Sequence, residues 1–273
     1  MRPTLLALAV ASAATLVPLG AGVAGSAATT TVRTSAPAIV STVPTTGAVQ
    51  KDAVVRKRKL GESVNGRPIM AYRLGQPDKP TVVLISTMHG NESDTRKILL
   101  SLKDGRPIKG VNLWVVPTYN PDGLAAGARK NAHGVDLNRN FPYNWADLDG
   151  NYESGPEPKS EPETRAMIEF LKDVKPKRIL SFHQPLYGVD TDTKNRKFAR
   201  RVAKVLKLPA KTFDCGGVCH GTMTSWYNHH FKGAALTVEY GVNPSRTMMR
   251  KTAPKRVLKV FGARRVSLDS EIV

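Results

Sequence analysis

The chain has 273 residues, with 41 Lys or Arg against 22 Asp or Glu, so its formal net charge is +19 at pH 7. This length suits one large domain or two small ones, and a hydrophobic content of 41% allows a sizeable core. The charge favours anionic partners in general. However, the absence of a zinc finger, an RNA-binding aromatic motif or a basic heptad region argues against a nucleic-acid-binding protein.

The first residues are typical of an export signal. Arg2 precedes an apolar, Ala-rich run, and small residues at 24–28 suit cleavage by a signal peptidase. Pro18 and Gly20 interrupt the run, so we expect no stable membrane span. Residues 1–28 are therefore a predicted signal peptide, and the protein is predicted to be secreted. Loss of Arg2 from 41 basic residues leaves +18 against 22 acidic ones.

The next segment, residues 29–57, is rich in Thr, Ala, Ser, Val and Pro and has no helix or strand period. This composition predicts a linker or a pro-segment. A basic run from Arg56 to Arg58 and Lys59 follows, and it suits either a processing site or the charged start of a first strand.

From residue 58 to 273, segments with strand and helix patterns alternate. The predicted strands are a hairpin at 60–73 and apolar runs at 81–85, 111–116, 178–182 and 234–238. The predicted helices lie at about 98–105, 160–174, 193–206 and 257–261, with a turn or helix near Trp226. This order predicts a single α/β domain with a central mixed, mainly parallel, twisted sheet flanked by helices.

Local motifs predict how some of these elements begin and join. Asn65-Gly66 is a strong hairpin signal, and the residues 120–123, Asn-Pro-Asp-Gly, indicate a turn. Ser160 and Glu163 fit a capping box at the start of a helix. Residues 143–158 form a long loop, which in a compact domain is usually functional.

Polar side chains suited to zinc chemistry stand at the ends of three apolar strands. His89 and Glu92 follow one strand, His183 ends another, and Glu239 ends a third. Strand ends are where α/β folds place their chemistry, and two His with one Glu form a known catalytic zinc set. Taken singly, His183 suits a hydrogen-bonded core histidine and Glu239 half of an ion pair. Three such coincidences favour a site.

The chain resembles the zinc metallocarboxypeptidases of the carboxypeptidase A kind. The matching motifs lie in the family's order between residues 58 and 243. They are Gly-Glu-Ser-Val-Asn-Gly-Arg-Pro-Ile at 61–69, His-Gly-Asn-Glu at 89–92, Gly-Val-Asp-Leu-Asn-Arg-Asn-Phe-Pro at 134–142, Ser-Glu-Pro-Glu-Thr-Arg-Ala at 160–166, Ser-Phe-His at 181–183 and Thr-Val-Glu-Tyr at 237–240. Ser-Phe-His-Gln-Pro is similar to the bacterial murein peptide amidase branch, which cleaves the bond between γ-D-glutamate and diaminopimelate.

The resemblance implies one Zn²⁺ per chain, with His89, Glu92 and His183 as its ligands. It also implies that Glu239 is the general base, which takes a proton from the attacking water and passes it to the leaving amine. Zinc brings bound water to a pKa of about 7, and a carboxylate is a suitable base for it. The domain at 58–273 is therefore expected to be catalytic.

Three further residues are implied to bind substrate. Arg129 resembles the arginine that stabilises the developing oxyanion, while Asn138 and Arg139 resemble the pair that binds the terminal carboxylate. Arg suits this task because its donors pair bidentately with a carboxylate.

The two cysteines, Cys215 and Cys219, are predicted to form a disulfide because the protein is expected to be exported. A metal pair is the alternative, although no second Cys pair completes a structural zinc site. Digestive carboxypeptidases have a mobile tyrosine in the corresponding region, and residues 214–222 contain none. Digestive specificity therefore does not transfer simply, and Thr224 or a neighbour is the candidate for the specificity pocket.

We expect a secreted zinc peptidase that hydrolyses a C-terminal or near-C-terminal amide bond in cell-wall peptides. The alternative is a zinc carboxypeptidase that removes C-terminal residues from ordinary proteins. A catalytically inactive wall-binding module is disfavoured because every ligand and the base are present. The positive charge is expected to hold the protein near anionic wall polymers, in association with the cell wall.

Overall fold

The computed structural model describes residues 52–267. The predicted signal peptide at 1–28 and the predicted linker up to residue 51 lie outside that range. The first strand begins at Val54, so residues 54–57 of the predicted linker belong to a strand instead. The basic run that starts at Arg56 lies in this strand, and the rest of the predicted division into segments stays a prediction.

In the described range, eight strands form one mixed sheet in the order β1-β2-β5-β3-β6-β9-β7-β8, and two short strands pair separately. The neighbours from β5 through β3 and β6 to β9 run parallel, while β1, β2 and β7 are antiparallel to the strands that lead to this core. The strands are β1 (Val54–Glu62), β2 (Pro68–Gly75), β3 (Thr81–Ser86), β4 (Ile108–Lys109), β5 (Asn112–Val116), β6 (Arg178–His183), β7 (Gly188–Asp190), β8 (Ala210–Lys211), β9 (Ala234–Glu239) and β10 (Arg264–Arg265).

Six α-helices accompany the strands within residues 52–267. They are α1 (Arg96–Lys103), α2 (Pro121–Ala126), α3 (Pro162–Val174), α4 (Arg196–Leu206), α5 (Met223–His230) and α6 (Ala253–Val260). A short 3₁₀ turn, Gly150–Tyr152, lies in the long loop, and a π-helical turn, Met248–Thr252, precedes α6. The predicted α/β class with a mixed sheet and flanking helices is confirmed.

Alternate residues of the central strands supply two separate cores, one on each face of the sheet. In β3, Val82 and Leu84 point to the core that α1, α4 and α6 cover. Val83 and Ile85 point to the opposite core, which α3 and α5 cover. This alternation is the period of two that a strand imposes on its side chains. Because both faces are covered, the central strands are mainly apolar.

The predicted hairpin at 60–73 is confirmed as the antiparallel pair of β1 and β2. The predicted turn at 120–123 is wrong, because Pro121 is the first residue of α2. The side chain of Asn120 accepts a hydrogen bond of 2.8 Å from the amide of Gly123 and so caps this helix. Asn at the cap and Pro at the first helical position are both strong start signals.

The predicted capping box at the start of α3 is also wrong. Glu161 is the cap residue, and no side chain bonds to the helix amides there. Glu163 instead accepts a 3.2 Å bond from the amide of Val64, and Ser160 donates to Glu161. The side chains that a capping box would use therefore make other hydrogen bonds, that of Glu163 to a residue distant in sequence. Across residues 52–267, none of the helices combines the length and apolar character needed to span a bilayer.

Candidate metal centre and active site

The parallel core of the sheet brings the predicted site residues to one edge. β3 and β6 are paired in register up to Ser86 opposite Phe182, and β6 and β9 up to His183 opposite Glu239. His89 and Glu92 follow β3 directly in a turn. The carboxyl ends of three adjacent parallel strands therefore meet where the sequence placed its candidate residues.

The turn after β3 is fixed by the start of α2. Asn120 is fully buried, and its side-chain amide donates to the carbonyl oxygens of Met88 at 3.3 Å and Arg129 at 3.4 Å. Gly90 packs so tightly here that an added Cβ would lie 1.9 Å from the carbonyl carbon of Gly123. This contact explains the glycine between His89 and Glu92 and joins three segments of the site.

His89, Glu92 and His183 form a buried group whose ligand atoms all lie within 4.8 Å of one another. The two carboxylate oxygens of Glu92 lie 2.7 Å from Nδ1 of His89 and 2.9 Å from Nδ1 of His183. The two Nδ1 atoms are 3.3 Å apart. The Nδ1 atoms of His89 and His183 therefore face the same point beside the Glu92 carboxylate.

The other nitrogen of each ring has a partner outside this group. Nε2 of His89 lies 3.0 Å from Oδ1 of Asp136, and Nε2 of His183 lies 2.8 Å from Oγ of Ser181. The Asp136 carboxylate accepts from Nε2 of His89, so in the neutral ring that a metal ion requires the proton stays on Nε2 and Nδ1 offers its lone pair. This is the usual outer support of a metal-binding histidine, and it favours Nδ1 as the ligand.

The buried charges of the group favour a bound cation. Burial by itself lowers the pKa of His89, but Asp136 and Glu92 outweigh it and raise that pKa to about 9. Burial raises the pKa of Glu92, yet the charges of His89 and His183 and their hydrogen bonds lower it to about 2. Burial likewise raises the pKa of Asp136, and its bonded partners His89 and Arg129 hold it well below its ordinary value.

The donor set fits zinc. Two imidazole nitrogens and one carboxylate are ligands of a kind that catalytic zinc sites use, with a further position left for water or substrate. Within residues 52–267 this is the single group of three or more His, Cys, Asp or Glu side chains placed to hold a metal ion.

Glu239 lies beside this group without belonging to it. Its Cα is paired with that of His183 across the ladder, and its carboxylate accepts a 3.2 Å bond from the amide of Leu186. Burial raises the pKa of the Glu239 carboxyl, although the charge of His183 acts in the opposite direction. A carboxylate with a raised pKa next to a metal-ligand group suits proton transfer.

The structure also brings the predicted substrate-binding residues to the same edge. Arg129 holds Asp136 through two bonds, of 3.0 and 2.7 Å, and its third nitrogen lies 3.3 Å from Nδ1 of His89. Arg139 is buried, and its Nε has no hydrogen-bond partner in the described part of the chain. The side-chain oxygen of Asn138 accepts a 3.1 Å bond from the amide of Met223, which leaves its NH₂ group free to donate to a ligand.

Two residues of this site carry no role in the sequence-based prediction. Asp136 supports both His89 and Arg129 and is fully buried. The ring of Tyr152 lies under two guanidinium groups, 5.5 Å from that of Arg129 and 4.9 Å from that of Arg139. Asp136 lies in the matched motif at 134–142, which was a usable signal, whereas Tyr152 lies in the irregular loop.

The disulfide loop borders the substrate-binding segment. Cys215 and Cys219 are joined, with their Cα atoms 5.5 Å apart. Gly221 follows with φ +57°, and its carbonyl accepts a 2.9 Å bond from the amide of Phe141. A Cβ at Gly221 would lie 2.2 Å from the carbonyl oxygen of Arg139. The loop is therefore pressed against the backbone that carries the predicted carboxylate-binding pair. No contact of Thr224 assigns it to a specificity pocket, so that role stays a prediction.

Comparison with known proteins gives an independent view of this site. The sequence model of the zinc carboxypeptidase family matches residues 46–187, a little over half of the chain. Murein peptide amidase A of Escherichia coli K12 is 30% identical over 181 residues, which cover 61% of this chain and 74% of that protein. The family match contains His89, Glu92, Arg129, Asn138, Arg139 and His183 and ends before Glu239.

Solved structures show the same fold. The murein-tripeptide amidase of Escherichia coli O157 has a TM-score of 0.64 and 24% identity, over 77% of this chain and 93% of that one. Carboxypeptidase A of Helicoverpa armigera has a TM-score of 0.65 and 18% identity, over 77% of this chain and 68% of that one. At these identities the likeness concerns the fold.

Proposed function

Because the chain belongs to the zinc carboxypeptidase family, we propose that this hydrolase is exported and acts on cell-wall peptides. The proposed scissile bond is the amide between γ-D-glutamate and diaminopimelate in murein. The similarity to murein peptide amidase A, over most of that protein's length, supports this choice of substrate. The observation that carries the proposal is the convergence of His89, Glu92 and His183 beside Glu239 at one edge of the sheet.

In the proposed site, Nδ1 of His89, the Glu92 carboxylate and Nδ1 of His183 would hold one zinc ion. When bound, zinc supplies Lewis-acid activation of water and polarises the scissile carbonyl. Asp136 and Ser181 hold the two imidazoles in the orientation that this requires.

Glu239 is the proposed general base. Its carboxylate takes a proton from the attacking water and then gives it to the nitrogen of the leaving diaminopimelate. Burial and the single amide bond from Leu186 leave this carboxylate largely without stabilising partners, which keeps it basic. Arg129 lies close enough to His89 to donate to the carbonyl oxygen as negative charge develops on it.

Arg139 and Asn138 are the proposed binding pair for the substrate's terminal carboxylate. The unpartnered Nε of Arg139 is buried, and a buried donor without a partner is unfavourable until a ligand supplies one. A planar carboxylate meets that need because it accepts two parallel bonds from a guanidinium group. The product amino acid is thereby held by its carboxylate while its amine leaves.

Export and wall association complete the proposal. They are supported by the predicted signal at 1–28 and by the net positive charge, which attracts anionic wall polymers without sequence specificity. That attraction is expected to weaken as ionic strength rises, because salt screens surface charges.

The proposed function is tested by offering two substrates to the zinc-loaded protein. One is a tripeptide that ends in γ-D-glutamyl-diaminopimelate, and the other is a blocked dipeptide of ordinary amino acids. We expect release of free diaminopimelate, abolished by a chelator and restored by zinc. Faster cleavage of the blocked dipeptide would instead identify an ordinary carboxypeptidase.

A further inference from the structure

A cavity of about 320 Å³ lies at the end of the parallel strands opposite to the proposed active site. Three basic residues line it, Lys177 and Arg178 at the start of β6 and Arg201 on α4. β6 runs for six residues from Arg178 to His183, so roughly 17 Å of strand separates the cavity from the metal ligands. The cavity is therefore spatially separate from the proposed active site.

Among the residues that the structure describes, the basic side chains of this cavity have no acidic partners. The guanidinium of Arg178 lies 4.7 Å from the ring of Phe198 and donates a 2.8 Å bond to the carbonyl of Lys177. Within residues 52–267, no carboxylate oxygen lies within 4.0 Å of a side-chain nitrogen of Lys177, Arg178 or Arg201. Arg178 is thus partly buried and held in place while its remaining donors have no anion to bind.

A second cavity provides a comparison for these basic residues. It is lined by Arg67, Arg96 and Lys103, and each of these is already engaged. Arg67 pairs with Asp122 at 2.5 Å, Arg96 donates to Thr118 at 2.6 Å, and Lys103 pairs with Asp104. Two of the three basic residues here therefore have carboxylate partners, whereas none of the three in the first cavity has one among residues 52–267.

We propose that the cavity between β6 and α4 binds a phosphate group. Guanidinium donors match phosphate oxygens bidentately, and Lys177 adds a mobile positive charge. The apolar wall, which includes Phe198 and Phe261, suits the carbon skeleton that carries the phosphate. Because the cavity lies at the far edge of the sheet, a phosphate-bearing polymer held there would leave the proposed active site unobstructed.

The test is saturable binding of inorganic phosphate at constant ionic strength, measured by calorimetry on wild type and three variants. Arg201→Gln removes a charge that lines the cavity, whereas Arg200→Gln removes one from the next position of α4, outside the lining. We expect the first to weaken phosphate binding about tenfold, as the loss of one charge-assisted contact implies, and the second to change it little. Arg178→Gln should match Arg201→Gln.

Equal weakening by Arg200→Gln, or no saturable binding by wild type, would overturn the phosphate site and leave a general attraction to anions. Two competitors then identify the source of the phosphate. Displacement by glycerol 3-phosphate supports a polyol phosphate, and displacement by phosphatidylglycerol vesicles alone supports a lipid headgroup. Binding is measured without substrate, so the outcome does not depend on the proposed activity.

A separate observation concerns Tyr152, whose ring contacts both Arg129 and Arg139. These two cations repel each other, and a ring face near both offsets that repulsion. The residues after Tyr152 are firmly placed, since the carbonyl of Glu153 accepts a 2.7 Å bond from the amide of Asp136. We infer that Tyr152 is a positioning residue that sets the two arginines for substrate. This inference rests on the proposed function.

The test compares Tyr152→Phe, which keeps the ring, with Tyr152→Leu, which removes it. We expect Tyr152→Leu to raise KM about tenfold with a smaller change in kcat, and Tyr152→Phe to resemble wild type. If wild type hydrolyses the tripeptide and Tyr152→Leu keeps its KM, the role of Tyr152 is refuted while the proposed function stands. Inactive wild type would refute the proposed function itself.

Discussion

The C-terminal ends of the parallel strands, here called the carboxyl edge, and their N-terminal ends, the amino edge, differ in how their charged side chains are paired. At the carboxyl edge, His89, Glu92 and Asp136 are buried, and each contacts an opposite charge or a hydrogen-bonding partner. At the amino edge, Lys177 and Arg201 are exposed, and none of the described carboxylates forms an ion pair with them. Buried charge must be paired to be tolerated, whereas exposed charge is stabilised by water.

At the carboxyl edge, the buried charged residues depend on one another, whereas at the amino edge they do not. Removing one charge from the carboxyl edge leaves its partner buried and unpaired, so large effects on activity, metal binding and folding are expected there. Removing one charge from the amino edge leaves no buried charged group without its partner. Substitutions at the two edges therefore measure how far the contrast holds, and their expected effects span several orders of magnitude.

The largest effect is expected for Glu239→Gln. Glutamine fits the same space but cannot accept the proton of the attacking water, so kcat should fall by roughly 10² to 10⁴. KM and zinc content should change little, because the ligands and the substrate-binding residues are untouched. The exposed carboxylate of Glu157 in the long loop provides the control, as Glu157→Gln should leave kcat unchanged. A kcat within a few-fold of wild type for Glu239→Gln would remove Glu239 from the mechanism.

Asp136→Asn is expected to weaken zinc binding. The substituted amide cannot accept all the bonds that His89 and Arg129 now donate. Because loss of such a partner of a metal ligand weakens metal binding by about 10- to 100-fold, we expect zinc affinity to fall by about 30-fold. Competition with a chelating dye measures the affinity. Asp147→Asn, at an exposed position, is the matched control. Unchanged zinc affinity would show that Asp136 supports the fold and not the metal site.

Asp122→Asn tests a buried carboxylate of the carboxyl edge that has no proposed catalytic role and whose partner, Arg67, is partly exposed. The Asp122 carboxylate accepts bonds from the amide of Asn65 at 2.9 Å and from Arg67 at 2.5 Å. At pH 7 the variant should lose about 1–3 kcal/mol in the free energy of unfolding, measured with urea. Asp78→Asn, where the carboxylate is exposed beside Lys79, should lose far less.

The same pair predicts a pH dependence of stability. Burial raises the pKa of Asp122, but its bonds from Asn65 and Arg67 outweigh this and lower it below the ordinary 3.8. A lowered pKa means that the stabilisation is present above the unfolded value and disappears as pH falls through the folded value. The difference between wild type and Asp122→Asn should therefore shrink below about pH 4. A constant difference from pH 7 to pH 3 would contradict this account.

The smallest effect is expected at the amino edge. Lys177→Gln removes an exposed, unpaired charge, so the free energy of unfolding should change by less than about 0.5 kcal/mol. Urea unfolding beside Asp122→Asn measures both edges under one condition. A loss as large as that of Asp122→Asn would mean that the contrast between the edges is wrong.

Much of the sheet could be predicted from the sequence because its signals are local. Apolar runs ending in His183 or Glu239 identify strands whose ends meet at one edge, and the structure places them so. The structure also confirms the helical segment that leads to Leu206, although it begins at Arg196 and not at residue 193 because Asn195 caps it.

What local patterns could not predict depends on distant partners. The segment after Asn120 was predicted as a turn because Pro and Gly often mark turns, yet the cap and the packing of Gly90 favour a helix. Glu163 was assigned to a capping box, but Val64, 99 residues away along the chain, takes its carboxylate. Tyr152 lies near Arg139 because of the conformation of an irregular loop, which no sequence periodicity predicts.

Zinc content, measured on purified wild type and on His183→Ala, tests the central claim most directly. We predict one zinc ion per wild-type chain and a large loss in the variant, because one of three ligand atoms around the same point is removed. His133→Ala, at an exposed histidine outside the group, should keep its zinc. A His183→Ala protein with one zinc ion per chain and full activity would contradict the proposed site.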